Sequence, residues 1–329
     1  MLLIVYGTRP EYIKVKPILD NLTIPYKVLF TGQHKNIVPV NDGIVLSIID
    51  GDNRLDSIVQ STLNNDSIFN DITHVMVQGD TTSAFAVALA AFHRNIPVIH
   101  LEAGLRTYER NPYPEEFNRQ TISKIAKYHL CPTETNKLSL INERTLGKFY
   151  VVGNTVIDNI VSYRDSIEYN NEVLITMHRR ENHNKLPIYF SILEELANEN
   201  KHLTFTIPLH PNPNVTKHSN IFSTVNVIEP LNHSDMIDKL SKCRFLISDS
   251  GGVQEEASFL NKKVIVCRES TERIETIGVT SFLCKTPDDL RSMFYNTNDN
   301  FIPIEHDCPY GNGNSGEIIV NILSDITNI

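Results

Sequence analysis

The sequence predicts an α/β protein built from two doubly wound, Rossmann-like domains facing a cleft. Three observations lead there. Short, fully apolar runs alternate with helical patterns along the chain, the signature of parallel strands with covering helices. That alternation starts afresh after the polar break Tyr169-Asn170-Asn171. A length of 329 residues also exceeds an ordinary single domain, so two are expected. The expected division is 1–168, completed by a closing helix at about 314–329, and 169–313.

Taken in order, Leu2 to Tyr6 reads as a first buried strand, then a helix from about Pro10 to Asn21 and a strand from Tyr26 to Phe30. Further strands are expected near 74–78, 97–101, 129–131 and 149–152, with helical patterns between them. After Asn154 a helical pattern runs to the break at 169–171. The second series opens with Val173-Leu174-Ile175-Thr176 and continues with strands near 203–207, 225–228, 244–248 and 263–267. Gly311 to Ser315 interrupts the chain before the closing helix, Gly316 to Leu323. There is no internal repeat and no low-complexity tail.

Composition narrows the function classes. An apolar fraction of 41% suits a globular protein with real cores. No run approaches the ~18 apolar residues of a membrane span. The opening MLLIVYGTRPE lacks a basic start and turns polar by Thr8, so it does not read as a signal peptide. Five cysteines, at 131, 243, 267, 284 and 308, are odd in number and show no CxxC pairing. They read as reduced, buried thiols of a cytoplasmic protein. A net charge of −9 argues against nucleic acid as the main partner. A small anion is still acceptable, because local arginines can hold one.

Acid gathers where strands end. Asp80 follows the apolar run Val75-Met76-Val77, Glu102 follows Ile96 to Leu101, and Pro112-Tyr113-Pro114 delivers Glu115 and Glu116 to the first turn of a helix. Parallel strands place all their carboxyl ends on one sheet edge, so three junctions aim acid at one crevice. A helix-capping role explains any one of them about equally well. It weakens when all recur together, because neighbouring carboxylates repel, and such clusters host acid–base chemistry.

Gly7-Thr8-Arg9-Pro10-Glu11 ends the first strand, with Lys14 a turn further on. Arg9 and Lys14 suit an anion at a helix start, though a plain strand–helix turn accounts for the pattern better. It is not the GxGxxG fingerprint, so a nicotinamide cofactor is disfavoured. In the second half, Ser250-Gly251-Gly252 opens a helix after a strand and exposes amides fit for a pyrophosphate. Glu256, one turn in, is placed for the vicinal hydroxyls of a ribose. His178 and His210 follow two strands of this half, with Arg179 and Arg180 beside the first. They fit no compact metal-ligand spacing and favour an anion site.

GTRPEYIKVKP, TGQH, QGDTTSAFA, HLEAGLRT, PYPEEFNR, VGNTVIDN, MHRRENH, HPNPNV, SDSGGVQEEAS and ESTER occur in order from residue 7 to about 273. Together they resemble the non-hydrolysing UDP-N-acetylglucosamine 2-epimerases. The resemblance implies a glycosyltransferase-B type fold and UDP held mainly by the second domain. It implies an isomerase of polysaccharide biosynthesis, cytoplasmic and homodimeric, with no redox cofactor and no metal. It places Asp80, Glu102, Glu115 and His178 at catalytic positions. Arg9, Lys14, Arg119, His210, Ser250, Gly251, Gly252, Glu256 and Arg273 then surround the nucleotide sugar. Gln33, His34, Arg179, Glu181 and His210 match positions near a second, activating UDP-sugar. Three features depart from the family: Tyr113 where a tryptophan is common, Ile274 where a proline is common, and an unusual segment from Lys35 to Ile72 that weakens the expectation of activation.

The chemistry that such a substrate permits is elimination. The C2 hydrogen has no adjacent carbonyl, but UDP leaves readily from C1, giving a 2-acetamidoglucal to which UDP returns after protonation from the opposite face. Asp80, Glu102 and Glu115 supply acid–base groups whose faces the sequence leaves unassigned. His178, Arg9 and the Ser250-Gly252 loop suit the departing diphosphate. A hydrolysing epimerase, an epimerase of a modified UDP-N-acetylhexosamine, a transferase of the same fold and a silent nucleotide-sugar binder stay open.

Overall fold

The computed structural model describes residues 1–34 and 43–327. The chain divides into two units, Met1–Asn159 with Tyr310–Ile329, and Ile160–Pro309. Part of the unusual segment expected from Lys35 to Ile72, residues 35–42, lies outside the described residues.

The first unit is organised by Leu2–Tyr6 (β1), whose five residues are all buried. A strand covered on both faces must be apolar throughout, because successive side chains point to opposite sides. Leu2 and Ile4 join one core layer, Leu3 and Val5 the other. Around it stand Tyr26–Phe30 (β2), Ile44–Val45 (β3), His74–Gln78 (β4), Val98–Leu101 (β5), Tyr128–Cys131 (β6) and Lys148–Val151 (β7). They form one parallel sheet in the order β3-β2-β1-β4-β5-β6-β7. Five helices connect them: Arg9–Leu19 (α1), Arg54–Leu63 (α2), Thr82–His93 (α3), Glu115–Ile125 (α4) and Glu134–Asn142 (α5). The alanine-rich α3 packs Ala84, Val87, Ala88 and Ala91 on one sheet face, where small side chains let helix and sheet approach closely.

The second unit repeats the plan with Glu172–Thr176 (β8), Thr204–Pro208 (β9), Asn226–Ile228 (β10), Phe245–Ser248 (β11), Val264–Cys267 (β12) and Ser281–Cys284 (β13). Its sheet is again parallel, in the order β10-β9-β8-β11-β12-β13. Leu186–Glu199 (α6), Pro213–Thr216 (α7), His233–Lys242 (α8), Gly251–Phe259 (α9) and Pro287–Asp299 (α10) complete it. Phe190, Leu193, Phe205, Phe245 and Phe294 centre its core. The last helix, Ser315–Thr327 (α11), belongs to the first unit and packs Ile319 and Leu323 beside Val15 and Ile18 of α1. Asp158 caps it by accepting from the backbone N–H groups of Ser315 at 3.3 Å and Gly316 at 2.6 Å.

Two doubly wound parallel sheets are thus the fold, as expected. The helix expected after Asn154 is absent among the described residues, replaced by 3-10 turns at Ile157–Asn159 and Val161–Ser166. Polar side chains divert the backbone there: Asn154 accepts from Val156 N–H, Asp158 is spent on α11, and Asn159 donates to Ile13 O at 2.9 Å. The strands β3 and β13 were not anticipated. One is only two residues long, and the other opens with serine and closes with cysteine.

Candidate active site

In an open doubly wound sheet, ligands bind outside the carboxyl ends of the strands where the strand order reverses. In the first unit that point lies between β1 and β4. The loop after β1 carries Gly7, and a Cβ there would collide with the hydroxyls of Ser83 and Thr31. Only glycine allows that approach. Thr8 caps α1 by accepting from Glu11 N–H, and Arg9 stands exposed as the first helical residue.

Glu102 lies just past β5 with φ at +66°, a left-handed conformation that costs a residue with a Cβ about 1–3 kcal/mol and clusters at functional sites. Its buried carboxylate accepts from Lys14 Nζ at 2.5 Å, Asn154 Nδ2 at 3.2 Å and Gln78 Nε2. The Gly79-Asp80 turn abuts it: a Cβ on Gly79 would lie 3.4 Å from Glu102 Oε2. Asp80 pairs with the buried Arg119 at 2.7 Å, and its carbonyl accepts from Asn118 Nδ2 at 2.8 Å. Both partners ride on α4, whose first residue is the half-buried Glu115. Asp80, Glu102, Lys14, Arg119 and the start of α4 therefore come together on one sheet edge. Glu116 has a different use, holding Thr107 and Tyr108 through their backbone N–H groups at 3.1 and 3.2 Å.

Two residues that the sequence reading passed over also build this edge. His100, in β5, donates from Nε2 to Gly79 O at 2.8 Å. Burial pushes its imidazole down to about 3, so it stays neutral and holds the turn before Asp80. Glu11 accepts from Gly7 N–H at 3.1 Å and from the Thr81 hydroxyl at 2.7 Å, which links the loops after β1 and β4. The one polar residue inside the otherwise apolar run Val98 to Leu101 pointed to His100. The glutamate three residues after a capping threonine pointed to Glu11.

In the second unit the strand order reverses between β8 and β11. His178 follows β8, and its imidazole stacks on that of His210 with centroids 4.9 Å apart. Burial lowers the pKa of both rings, and nearby Asp249 partly offsets it. Ser250 is the residue before α9, and Gly251 and Gly252 begin it. No atom would lie within 4 Å of a Cβ on Gly252, whereas one on Gly251 would meet Arg273. Glu256, one turn on, pairs with His233 Nε2 at 2.8 Å. Arg273 ion-pairs with the buried Glu255 at 3.0 Å and with Glu272.

The residues assigned to an activator are engaged within their own units. Gln33 Oε1 accepts from Ser83 N–H at 3.0 Å and Ser83 Oγ at 2.9 Å. His34 N–H donates to Gly7 O at 2.9 Å. Arg179 N–H donates to Asp249, and Glu181 accepts from the buried Arg268 at 2.9 Å. Among the described residues, no group of three or more His, Cys, Asp or Glu could hold a metal ion. Nor is any described helix long and apolar enough to cross a membrane.

Comparison with known proteins gives a consistent answer. A sequence model of the family described as UDP-N-acetylglucosamine 2-epimerase matches residues 23–324. A UDP-N-acetylglucosamine 2-epimerase of Neisseria meningitidis is 38% identical, covering 98% of this chain and 98% of that protein. One of Campylobacter jejuni is 35% identical, covering 98% of this chain and 97% of that protein. Among solved structures, the Neisseria meningitidis UDP-GlcNAc 2-epimerase bound to UDP-GlcNAc is similar with a TM-score of 0.89 and 35% identity, covering 98% of this chain and 99% of that one. The Methanocaldococcus jannaschii enzyme in complex with UDP-GlcNAc and UDP is similar with a TM-score of 0.81 and 30% identity, covering 98% and 99%.

Proposed function

The chain belongs to the UDP-N-acetylglucosamine 2-epimerase family, and we propose on that premise that it interconverts UDP-N-acetylglucosamine and UDP-N-acetylmannosamine without hydrolysing them. The observation that carries this reading is Glu102. A buried carboxylate in left-handed backbone, gripped by Lys14 and set against the Asp80 turn, is an expensive arrangement that ordinary packing does not require.

The reaction asks for a base at C2 on one face, an acid at C2 on the other, and a holder for the diphosphate. In the first step a carboxylate takes the C2 proton, the C2–H pair becomes the C1=C2 bond, and UDP leaves with the C1–O pair. In the second step a carboxylic acid protonates C2 from the opposite face, and UDP oxygen attacks C1. No hydride moves, so no redox cofactor is called for. Asp80, Glu102 and Glu115 supply the acid–base groups. Arg9, His178, His210 and the amides of Ser250 to Gly252 suit the diphosphate, and Glu256 suits the ribose. The five free, buried cysteines support a reducing cytoplasm as the enzyme's location.

The test is turnover of UDP-N-acetylglucosamine in D2O, followed by NMR. Both UDP-sugars should carry deuterium at C2. UDP-sugar turned over without C2 deuterium would overturn the elimination route, and free N-acetylmannosamine as the main product would point to the hydrolysing class.

A further inference from the structure

His233 and Glu256 join two helices of the second unit. His233 is the first residue of α8, and the turn it stands in is fixed by Asn232, whose side chain accepts from Asp235 N–H at 3.0 Å. His233 Nε2 lies 2.8 Å from Glu256 Oε1. A carboxylate only accepts, so the proton of this contact belongs to the imidazole. Glu256 is buried on α9, four residues after Gly252, which puts it on the same helix face as that glycine. Among the described residues, Oε2 accepts no hydrogen bond. One oxygen of this carboxylate is therefore held, and the other keeps its lone pairs for an outside donor.

We propose that His233 is a positioning residue that makes the nucleotide site select ribose over deoxyribose: its Nε2–H holds Glu256 Oε1 and leaves Oε2 for the vicinal hydroxyls. This rests on the epimerase reading above, which gives the ribose to Glu256. A carboxylate repels phosphate and accepts from hydroxyls, so the part of the ligand it meets must be a donor. Two hydroxyls match the two lone pairs of Oε2. A glutamate without a partner would instead have to be ordered when the ligand arrives, which weakens binding by about 2- to 10-fold. The bland use of the pair is a tie between α8 and α9. Such a tie would stabilise the fold without favouring one sugar over another.

The experiment is calorimetry of the full-length chain with UDP and with 2′,3′-dideoxy-UDP, which lacks both hydroxyls. The unaltered chain should bind UDP more tightly. His233→Ala should weaken UDP binding about 2- to 10-fold and leave the dideoxy ligand unchanged. His233→Gln keeps an N–H donor at the end of its side chain and should restore most of the loss. In turnover, His233→Ala should raise KM with kcat unchanged, because the reaction does not alter the ribose. Equal binding of both ligands by the unaltered chain would overturn the proposal. So would an alanine variant that weakens both alike, or one that binds UDP more tightly because the histidine had competed for the carboxylate. A chain that shows the expected pattern but exchanges no C2 hydrogen in D2O would sink the epimerase reading and leave His233 in its role.

Discussion

Glu11 accepts a hydrogen bond from the Thr81 hydroxyl at 2.7 Å and so ties the loop after β1 to the loop that carries Asp80. Its second oxygen receives Gly7 N–H at 3.1 Å. Burial outweighs these donors and raises the carboxyl to about 7 from an ordinary value of 4.5. The folded chain then keeps a proton that the unfolded chain releases between those values. The stability this gives is whole below pH 4.5 and is lost as pH rises to about 7, by roughly 3 kcal/mol. Urea unfolding across that range should show the loss relative to Glu11→Gln. The amide can take Gly7 N–H on its oxygen and donate to a reversed Thr81 hydroxyl, so it should flatten the difference. Equal slopes in the two proteins would remove Glu11 as the responsible group.

Isosteric neutralisation separates chemistry from binding. Asp80→Asn, Glu102→Gln and Glu115→Gln should each lower kcat by about 10²-fold or more and leave UDP affinity nearly unchanged. Glu102→Gln carries a second consequence. It removes the carboxylate that pairs with the buried Lys14 ammonium and should lose about 3–5 kcal/mol in urea unfolding, and Asp80→Asn should lose part of that through the buried Arg119. Near-normal turnover in all three would sink the assignment.

The nucleotide is tested in the second unit. Glu256→Ala removes the carboxylate proposed for the ribose and takes a partner from His233, so UDP binding should weaken by about 1.5–3 kcal/mol in calorimetry. Arg273→Ala behaves differently. It takes an ion pair from each of the buried Glu255 and Glu272, though Arg268 still pairs with Glu272 at 3.0 Å, and should lower stability before any binding is measured. An Arg273→Ala chain of unaltered stability that binds UDP poorly would return that arginine to the substrate.

These cases show what was legible in the sequence. Leu2–Tyr6 and Phe245–Ser248 announce themselves because a parallel strand covered on both faces has no polar side. Asp80, Glu102 and His178 announce themselves by standing where such runs stop. Side-chain partnerships across neighbouring strands leave no such trace. Nothing in the spacing says that Asp249 reaches back to the amides after β8, or that His100 grips the carbonyl of Gly79. Arg273 looks like a ligand for an anion until the two glutamates beside it are seen. The stretch after Asn154 misled because its apolar residues, Ile157 and Ile160, fall at helical spacing while Asp158 and Asn159 spend their side chains elsewhere.

Regulation follows from the same kind of partnership. Gln33 matches an activator position, yet its Oε1 already accepts from Ser83 N–H and Ser83 Oγ at the start of α3. Glu181, assigned to that activator too, is held by Arg268, a side chain that is itself almost wholly buried. A second UDP-sugar would have to break these contacts, each worth about 0.5–3 kcal/mol, before gaining its own. Activation should therefore be weak, and initial rate against substrate concentration should be hyperbolic. Gln33→Ala should loosen the amino end of α3 and lower stability without changing the shape of that curve. A sigmoidal curve that becomes hyperbolic in Gln33→Ala would show instead that the amide leaves Ser83 to serve an activator.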